Sequence, residues 1–216
     1  MTPSHRVTVT LDAATLKALQ AAGDSLLAFK GFTFGGSGAP LVWVATRQFL
    51  TNTSIAWQPQ YQAFISRDAL VAGAVIQPLA TCPLSLGQTV LVDVQGELSV
   101  QAVGSPGALS ITNQTPSIWT AGFIQTGWDM APAFALSLYP QTVSVIVPDG
   151  RLLLMFCADA LAEGEVVLSA PADGLLVDAA AAERTVAYDI EGGWSWDGGP
   201  WAVKVAAGAD LRTLLA

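Results

Sequence analysis

Charged side chains are scarce in this sequence. Lys and Arg number 9 and Asp and Glu 17, together 12% of 216 residues, whereas soluble domains commonly carry about 25%. Hydrophobic residues make up 52% of the chain and its mean hydropathy is +0.48. This composition excludes intrinsic disorder, which requires low hydrophobicity and high net charge.

Residues for catalysis and metal binding are also few. His5 is the only histidine, so a Ser–His–Asp or Cys–His arrangement would have to recruit a side chain close to the first residue. Cys82 and Cys157 are too few for a disulfide-stapled mini-protein, and we expect both to be small buried fillers. No HxxxH or CxxC pattern occurs, so the sequence predicts no metal site, and no motif indicates a cofactor. Enzymatic activity is therefore less expected than binding.

Some partners and compartments are disfavoured by charge and hydropathy. With a net charge of −8 and a pI near 4.3, no nucleic-acid partner is expected, because phosphates bind basic surfaces. No stretch of about 20 residues is free of Gly, Pro or polar amides, so no transmembrane helix is expected. The first residues lack a basic region followed by an apolar one, which predicts a cytoplasmic protein, with leaderless export an alternative.

The few charges are unevenly distributed. Residues 31–148 contain six, namely Arg47, Arg67, Asp68, Asp93, Glu97 and Asp129, whereas residues 149–216 contain fifteen, eleven of them acidic. The middle of the chain is rich in Ser, Thr, Gln and Asn, so it is uncharged without being strongly apolar. This pattern predicts a neutral interaction surface, and self-association into a homo-oligomer is one use for it.

Short alternating segments and turn residues predict an all-β fold. We expect one antiparallel β-sandwich, or flattened barrel, over residues 1–216. A single short helix is expected near the N-terminus, over about residues 12–22, with Asp12 as its N-cap and Gly23 as its stop. Pro148-Asp149-Gly150 is predicted to be a hairpin turn. The run Leu152–Phe156 is apolar throughout, which indicates a strand at the centre of the sandwich.

Three tryptophans and three carboxylates fall within residues 189–201. Glycines flank them, which predicts a loop or bulged strand at the surface. Indole rings can cover the apolar face of a sugar while carboxylates accept hydrogen bonds from its hydroxyls. The segment therefore predicts a ligand site made of Trp194, Trp196, Trp201, Asp189, Glu191 and Asp197. Packing of these tryptophans over the end of the sandwich is the alternative interpretation.

A second aromatic group lies in the charge-poor region. It consists of Trp43, Phe49, Trp57, Tyr61 and Phe64, interleaved with Gln and Asn, and the three with a polar group, Trp43, Trp57 and Tyr61, are the candidate patch. They predict either alternating core positions on two paired strands or a neutral interface.

A short N-terminal helix followed by a β-sandwich is similar in outline to actinoporin-like and fungal-lectin-like proteins. The local likeness is Pro148–Phe156, a turn followed by an apolar strand. The toxins among them are usually basic and rich in tyrosine at the headgroup site, whereas this chain is acidic with three tyrosines. The Trp-rich segment favours a non-enzymatic, lectin-like module that binds a glycan or other neutral polar ligand, and the first alternative is a toxin-like, actinoporin-like protein that acts at a membrane surface or forms pores. A self-assembling structural protein is a third hypothesis.

Overall fold

A computed structural model of the chain describes residues 5–127, 129–180 and 183–215. The N-terminal half contains β1 (His5–Thr10), α1 (Ala13–Ala22), β2 (Ser25–Phe34), β3 (Gly38–Pro40), β4 (Val44–Thr46), β5 (Asn52–Trp57), β6 (Tyr61–Ser66), β7 (Ala80–Leu84), β8 (Thr89–Val92) and β9 (Leu98–Gln101). The rest contains β10 (Leu109–Asn113), β11 (Trp119–Gln125), β12 (Pro132–Leu138), β13 (Val143–Cys157), β14 (Gly174–Asp178), β15 (Arg184–Asp189), β16 (Gly193–Ser195), β17 (Ala202–Val205) and α2 (Leu211–Leu215). The predicted all-β fold is confirmed.

The strands of the described residues form three sheets with mostly antiparallel pairing. One has the order β16-β15-β1-β5 and another the order β3-β12-β11-β6-β7. The largest has the order β17-β14-β13-β10-β8-β9, with β2 paired to β13 and β4. Two pairs are parallel, β1 with β15 and β8 with β10. The β1–β15 pair joins the first strand to the C-terminal part of the chain, and the largest buried cluster includes residues from Val7 to Ala202.

Helix α1 begins and ends where the sequence predicts. The Thr15 N–H donates to Asp12 Oδ1 at 2.6 Å, which caps the first turn. Gly23 adopts the left-handed conformation, with φ of 77°, and its N–H donates to the Gln20 carbonyl. Leu19 is buried and Leu16 packs partly against the core. No helix in the described ranges is long and apolar enough to span a membrane.

Strand β13 corrects the prediction of a hairpin at Pro148-Asp149-Gly150. The strand is continuous from Val143 to Cys157, and both of its halves pair with β2. The register shifts between Pro148 and Leu152, so these residues form a β-bulge instead of a turn. Gly150 lies against Ala180, where a Cβ atom would approach the Ala180 Cα to 2.4 Å. Both Pro and Gly are compatible with a bulge as well as with a turn, and local sequence does not separate the two.

The apolar run that follows the bulge is buried on both faces, as its composition predicts. Leu152, Leu154 and Phe156 belong to the main core between the sheets. Leu153, Met155 and Cys157 face a second apolar cluster that includes Leu211 and Leu215 of α2. Helix α2 covers this outer face, and the sequence did not predict it.

Candidate functional site

The predicted ligand segment forms the hairpin β15–β16 and the turn into β17. Its tight turn is organised by Asp189, whose Oδ1 accepts the backbone N–H groups of Gly192 at 2.8 Å and Glu191 at 2.9 Å. The other oxygen accepts the Thr15 hydroxyl of α1 at 3.3 Å. The Gly192 and Glu191 N–H groups hold the pKa of Asp189 below its ordinary value. This carboxylate therefore serves the turn and ties it to α1.

Trp194 lies in the core, at 2% exposure. Its ring stacks on Phe156, with centroids 5.6 Å apart, and meets Tyr188 edge-on at 5.0 Å. Its Nε1 donates to the Asp173 carbonyl at 3.4 Å. An indole face that stacks on a sugar must be exposed, and Trp194 is not, so this part of the prediction is wrong. Only the edge of the Trp194 ring is compatible with a ligand contact.

The other two tryptophans of the segment are half-buried. Trp196 Nε1 donates to the Gly199 carbonyl at 2.8 Å. Trp201 carries the Arg184 guanidinium over its ring, 4.7 Å from the centroid. Gly199 lies directly against Trp201, where a Cβ atom would approach the indole Nε1 to 2.4 Å. The remaining predicted residue, Asp197, is exposed and accepts the Gly199 N–H at 2.9 Å.

A cleft of about 490 Å³ opens beside the hairpin β15–β16, and we call it the hairpin cleft. It is lined by Asp173, Gly174, Tyr188, Ile190, Glu191, Gly192, Gly193, Trp194, Lys204, Val205 and Ala206. Of the six predicted ligand residues, only Glu191 and Trp194 line it. Sequence reasoning missed the contributions of Tyr188, which directly precedes the segment on β15, of Lys204 on β17 and of Asp173 in the loop before β14.

The polar groups of the hairpin cleft include both donors and acceptors. One Asp173 oxygen accepts the Ala207 N–H at 2.8 Å, which orients that carboxylate. Burial raises the pKa of Tyr188, and the negative charges of Asp24, Asp173 and Asp189 raise it further, so the phenol remains a donor at neutral pH. Glu191 and Lys204 are both exposed, and they add one acceptor and one donor of opposite charge.

The second aromatic group is internal. Trp43, Trp57 and Tyr61 are all buried, so they form no interface in this chain by themselves. Trp57 ends β5 and Tyr61 begins β6, and these strands belong to different sheets, contrary to the expectation of one strand pair. Trp43 meets Trp57 edge-on, with centroids 6.0 Å apart. Of the two interpretations, the structure agrees with core positions and not with an exposed interface.

The remaining chemistry is limited. No group of three or more His, Cys, Asp or Glu side chains in the described part of the chain is placed to hold a metal ion. Cys82 and Cys157 are both free thiols, and burial raises the pKa of each. No protein-family model, curated protein or solved structure matches the chain.

Proposed function

We propose that the chain is a non-enzymatic binding module that takes a neutral polyhydroxylated ligand, a glycan, in the hairpin cleft. One observation carries the proposal: an aromatic wall of Tyr188 and the edge of Trp194 adjoins Glu191 and Lys204 in a single cleft. Its volume lies within the usual range of small-ligand sites, about 300–1,000 Å³. A sugar presents apolar C–H groups to such a wall and hydroxyls to acceptors and donors at its rim.

The residues divide into two roles in this proposal. Tyr188 supplies the ring surface and a hydroxyl donor, because Trp194 behind it is too buried to offer more than its edge. Glu191 accepts ligand hydroxyls and Lys204 donates to ligand oxygens. Trp196, Trp201 and Asp197 lie outside the cleft lining and form a separate, half-exposed surface that an extended glycan could contact.

Glycan-array screening followed by calorimetry with the strongest ligand tests the proposal. Tyr188→Ala and Glu191→Gln are expected to weaken binding at least about tenfold, since each removes a contact worth roughly 1.4 kcal/mol or more. Trp196→Ala, on the neighbouring surface, is the matched control and should leave a monosaccharide's affinity unchanged. Loss of binding in Trp196→Ala alone would place the ligand on the half-buried indoles of Trp196 and Trp201 instead. Absence of any glycan binding would overturn the proposal.

A second proposal, self-association, is favoured by one face of the largest sheet. Cross-strand registers place uncharged side chains of five adjacent strands on this face, which we call the uncharged face. It comprises Thr33, Thr89, Leu91, Ser99, Gln101, Ser110, Thr112, Val143, Val145 and Val147. The three valines of β13 are 60%, 39% and 42% exposed. Two copies, each with a charge of −8, repel one another least where no charge lies between them.

Measuring the mass of the protein in solution tests whether a second copy of the chain binds to the uncharged face. We expect an oligomer that Val145→Lys dissociates, because the substitution places an ammonium at the centre of the contact. Val203→Lys is the matched control, since Val203 is an exposed valine of β17 in the same sheet. A wild-type protein that stays monomeric at high concentration would contradict this arrangement.

A further inference from the structure

A groove of about 260 Å³ lies between two sheets, beside the turn that joins β12 to β13, and we call it the tyrosine groove. Strand β2 and the start of β13 contribute to it from the largest sheet, and β12 contributes from the sheet of five strands. Its lining includes two rings and four hydroxyls, those of Phe34, Tyr139, Ser37, Ser137, Thr142 and Ser144. It shares no lining residue with the hairpin cleft, so the two are separate sites.

The two rings of the tyrosine groove form a wall that solvent reaches. Tyr139 is 57% exposed, more than any other aromatic side chain in the described part of the chain. Phe34 is half-buried and meets Phe134 edge-on, with ring centroids 6.1 Å apart. Gly36 lies against the Phe34 ring, where a Cβ atom would approach it to 2.7 Å. This wall offers the exposed aromatic surface that Trp194, buried beside the hairpin cleft, does not.

The backbone turn that carries Tyr139 is held by hydrogen bonds. Asn113 is fully buried and its Nδ2 donates to the Tyr139 carbonyl at 3.1 Å, and the Thr142 hydroxyl donates to the same carbonyl at 2.8 Å. Gln141, whose Nε2 donates to the Gln114 carbonyl at 2.9 Å, has a φ of 55° and is the only non-glycine residue with a positive φ among those described. Strained backbone of this kind persists where the surrounding structure enforces it, and it is concentrated at ligand sites. A turn fixed in advance lowers the ordering cost of binding.

The polar side chains of the tyrosine groove are hydroxyls, and each of them can both donate and accept hydrogen bonds. In the described hydrogen bonds only the Thr142 hydroxyl is used, so those of Ser37, Ser137 and Ser144 are available to a ligand. Ser144 is 8% exposed, whereas Ser37 is open to solvent. The groove therefore offers hydroxyls both near its floor and at its rim.

Charge is absent from the tyrosine groove, because no charged side chain of the described residues lines it. The adjoining cavity, which shares Gly36 and Ser37, contains Asp210 and Arg212, and these two side chains pair with each other at 2.9 Å. An ionised ligand would lose hydration in the tyrosine groove without gaining a counter-ion. A neutral ligand avoids this cost, so the lining favours neutral molecules.

We propose that the tyrosine groove binds a single neutral sugar ring and is a second carbohydrate site of the chain. The apolar C–H groups of a pyranose pack on the exposed ring of Tyr139, and its hydroxyls exchange hydrogen bonds with the serine and threonine hydroxyls. The groove volume lies just below the range of about 300–1,000 Å³ that is usual for small-ligand sites, so it takes one ring and not an oligosaccharide. Uronic acids bind more weakly than the corresponding neutral sugars, because the lining holds no counter-ion.

NMR titration of the isotope-labelled chain with the methyl glycosides of glucose, galactose, mannose and N-acetylglucosamine tests the proposal. At least one of these probes should shift the backbone amide signals of Ser37, Ser137 and Ser144. Tyr139→Ala should weaken that binding at least about tenfold, because it removes the ring on which the sugar packs. Tyr139→Phe, the matched control, keeps the ring and should bind within about twofold of wild type.

Tyr188→Ala separates this site from the hairpin cleft, because it should leave the amide shifts of the tyrosine groove unchanged. Shifts confined to the tyrosine groove would support the second site and count against the hairpin cleft. Shifts confined to the hairpin cleft would overturn the second site and leave the hairpin cleft as the carbohydrate site. The second site is also overturned if no probe shifts the amides of Ser37, Ser137 and Ser144, or if Tyr139→Ala binds as tightly as wild type.

Discussion

Trp194 stacks on Phe156 with ring centroids 5.6 Å apart and ring planes inclined by 15°. This contact joins the hairpin β15–β16 to the central strand β13 across the core. Both rings are buried, and Phe156 also meets Phe49 edge-on. Trp194, one of the three tryptophans predicted to contact a ligand, is thus part of the packing that supports the hairpin cleft.

Trp194→Ala should lower the free energy of unfolding by about 3–5 kcal/mol, the usual cost of emptying a buried aromatic site. Urea denaturation measures the loss. Trp194→Phe keeps an aromatic ring in contact with Phe156, so its free energy of unfolding should fall clearly less than that of Trp194→Ala. If Trp194→Ala instead matches the effect of a surface substitution such as Val203→Ala, within about 0.5 kcal/mol, the packing role is wrong.

Lys30 should make stability rise with pH in the alkaline range. Burial lowers its pKa from the ordinary 10.5 to about 7 in the folded chain, so between these values the unfolded chain binds more protons and rising pH favours the folded state. Lys30→Met should therefore be most stabilising near pH 7 and below, and the difference from wild type should shrink toward pH 10. Urea titrations of both proteins at each pH measure this difference. A difference independent of pH would contradict the lowered pKa.

Asp189 should contribute stability that acid removes. Its pKa is depressed in the folded chain, so the contribution is present above the ordinary range of Asp and is lost as pH falls through the folded pKa. Asp189→Asn should lower the melting temperature at pH 7. In this variant the melting temperature should also decrease less than in wild type as the pH is lowered. Asp197→Asn, which alters an exposed carboxylate of the same segment that accepts a single N–H, serves as the comparison. Equal acid profiles for wild type and Asp189→Asn would count against this role.

Gly122→Ala should prevent normal packing between β11 and β12. A Cβ atom at Gly122 would lie 2.0 Å from the Phe134 carbonyl oxygen and 2.8 Å from the Phe64 ring. The backbone and the buried rings cannot both move away from the added carbon. We therefore expect the free energy of unfolding to fall by roughly 3 kcal/mol or more, or the variant to fail to fold. Gly35→Ala, with nothing within 4 Å of the added carbon, should be nearly neutral. Circular dichroism and thermal melts of the two variants compare them, and similar melting temperatures would refute the steric argument.

Local signals in the sequence succeeded where neighbouring residues decide the conformation. Asp12, Leu19 and Gly23 specify α1 because a cap, an apolar face and a left-handed stop lie within one helix. The same logic failed at Pro148–Gly150, because a turn and a bulge draw on the same residues. Only the pairing of both halves of β13 with β2, far away in the chain, distinguishes them.

The candidate site was only partly predictable. The segment 189–201 was found by its density of rings and carboxylates, and Glu191 and Trp194 do line the hairpin cleft. Tyr188 and Lys204 carried no signal, because single polar residues on alternating strands are common, and Asp173 lies in the loop before β14, where an aspartate is ordinary. The burial of Lys30 was overlooked for a similar reason, since a lysine in a strand ordinarily reaches solvent.

Composition and the spacing of a few neighbouring residues are enough to predict the β class, the position of α1 and the two-sided burial of Leu152–Phe156. The sequence also located the charge deficit in residues 31–148. The burial of Trp194 in the core and the position of Lys30 Nζ, 3.8 Å from the Trp57 ring centroid, depend instead on contacts between residues far apart in the sequence. Alternation along a strand tells which side chains share a face, whereas the covering of that face depends on strands paired across the whole chain, such as β1 with β15.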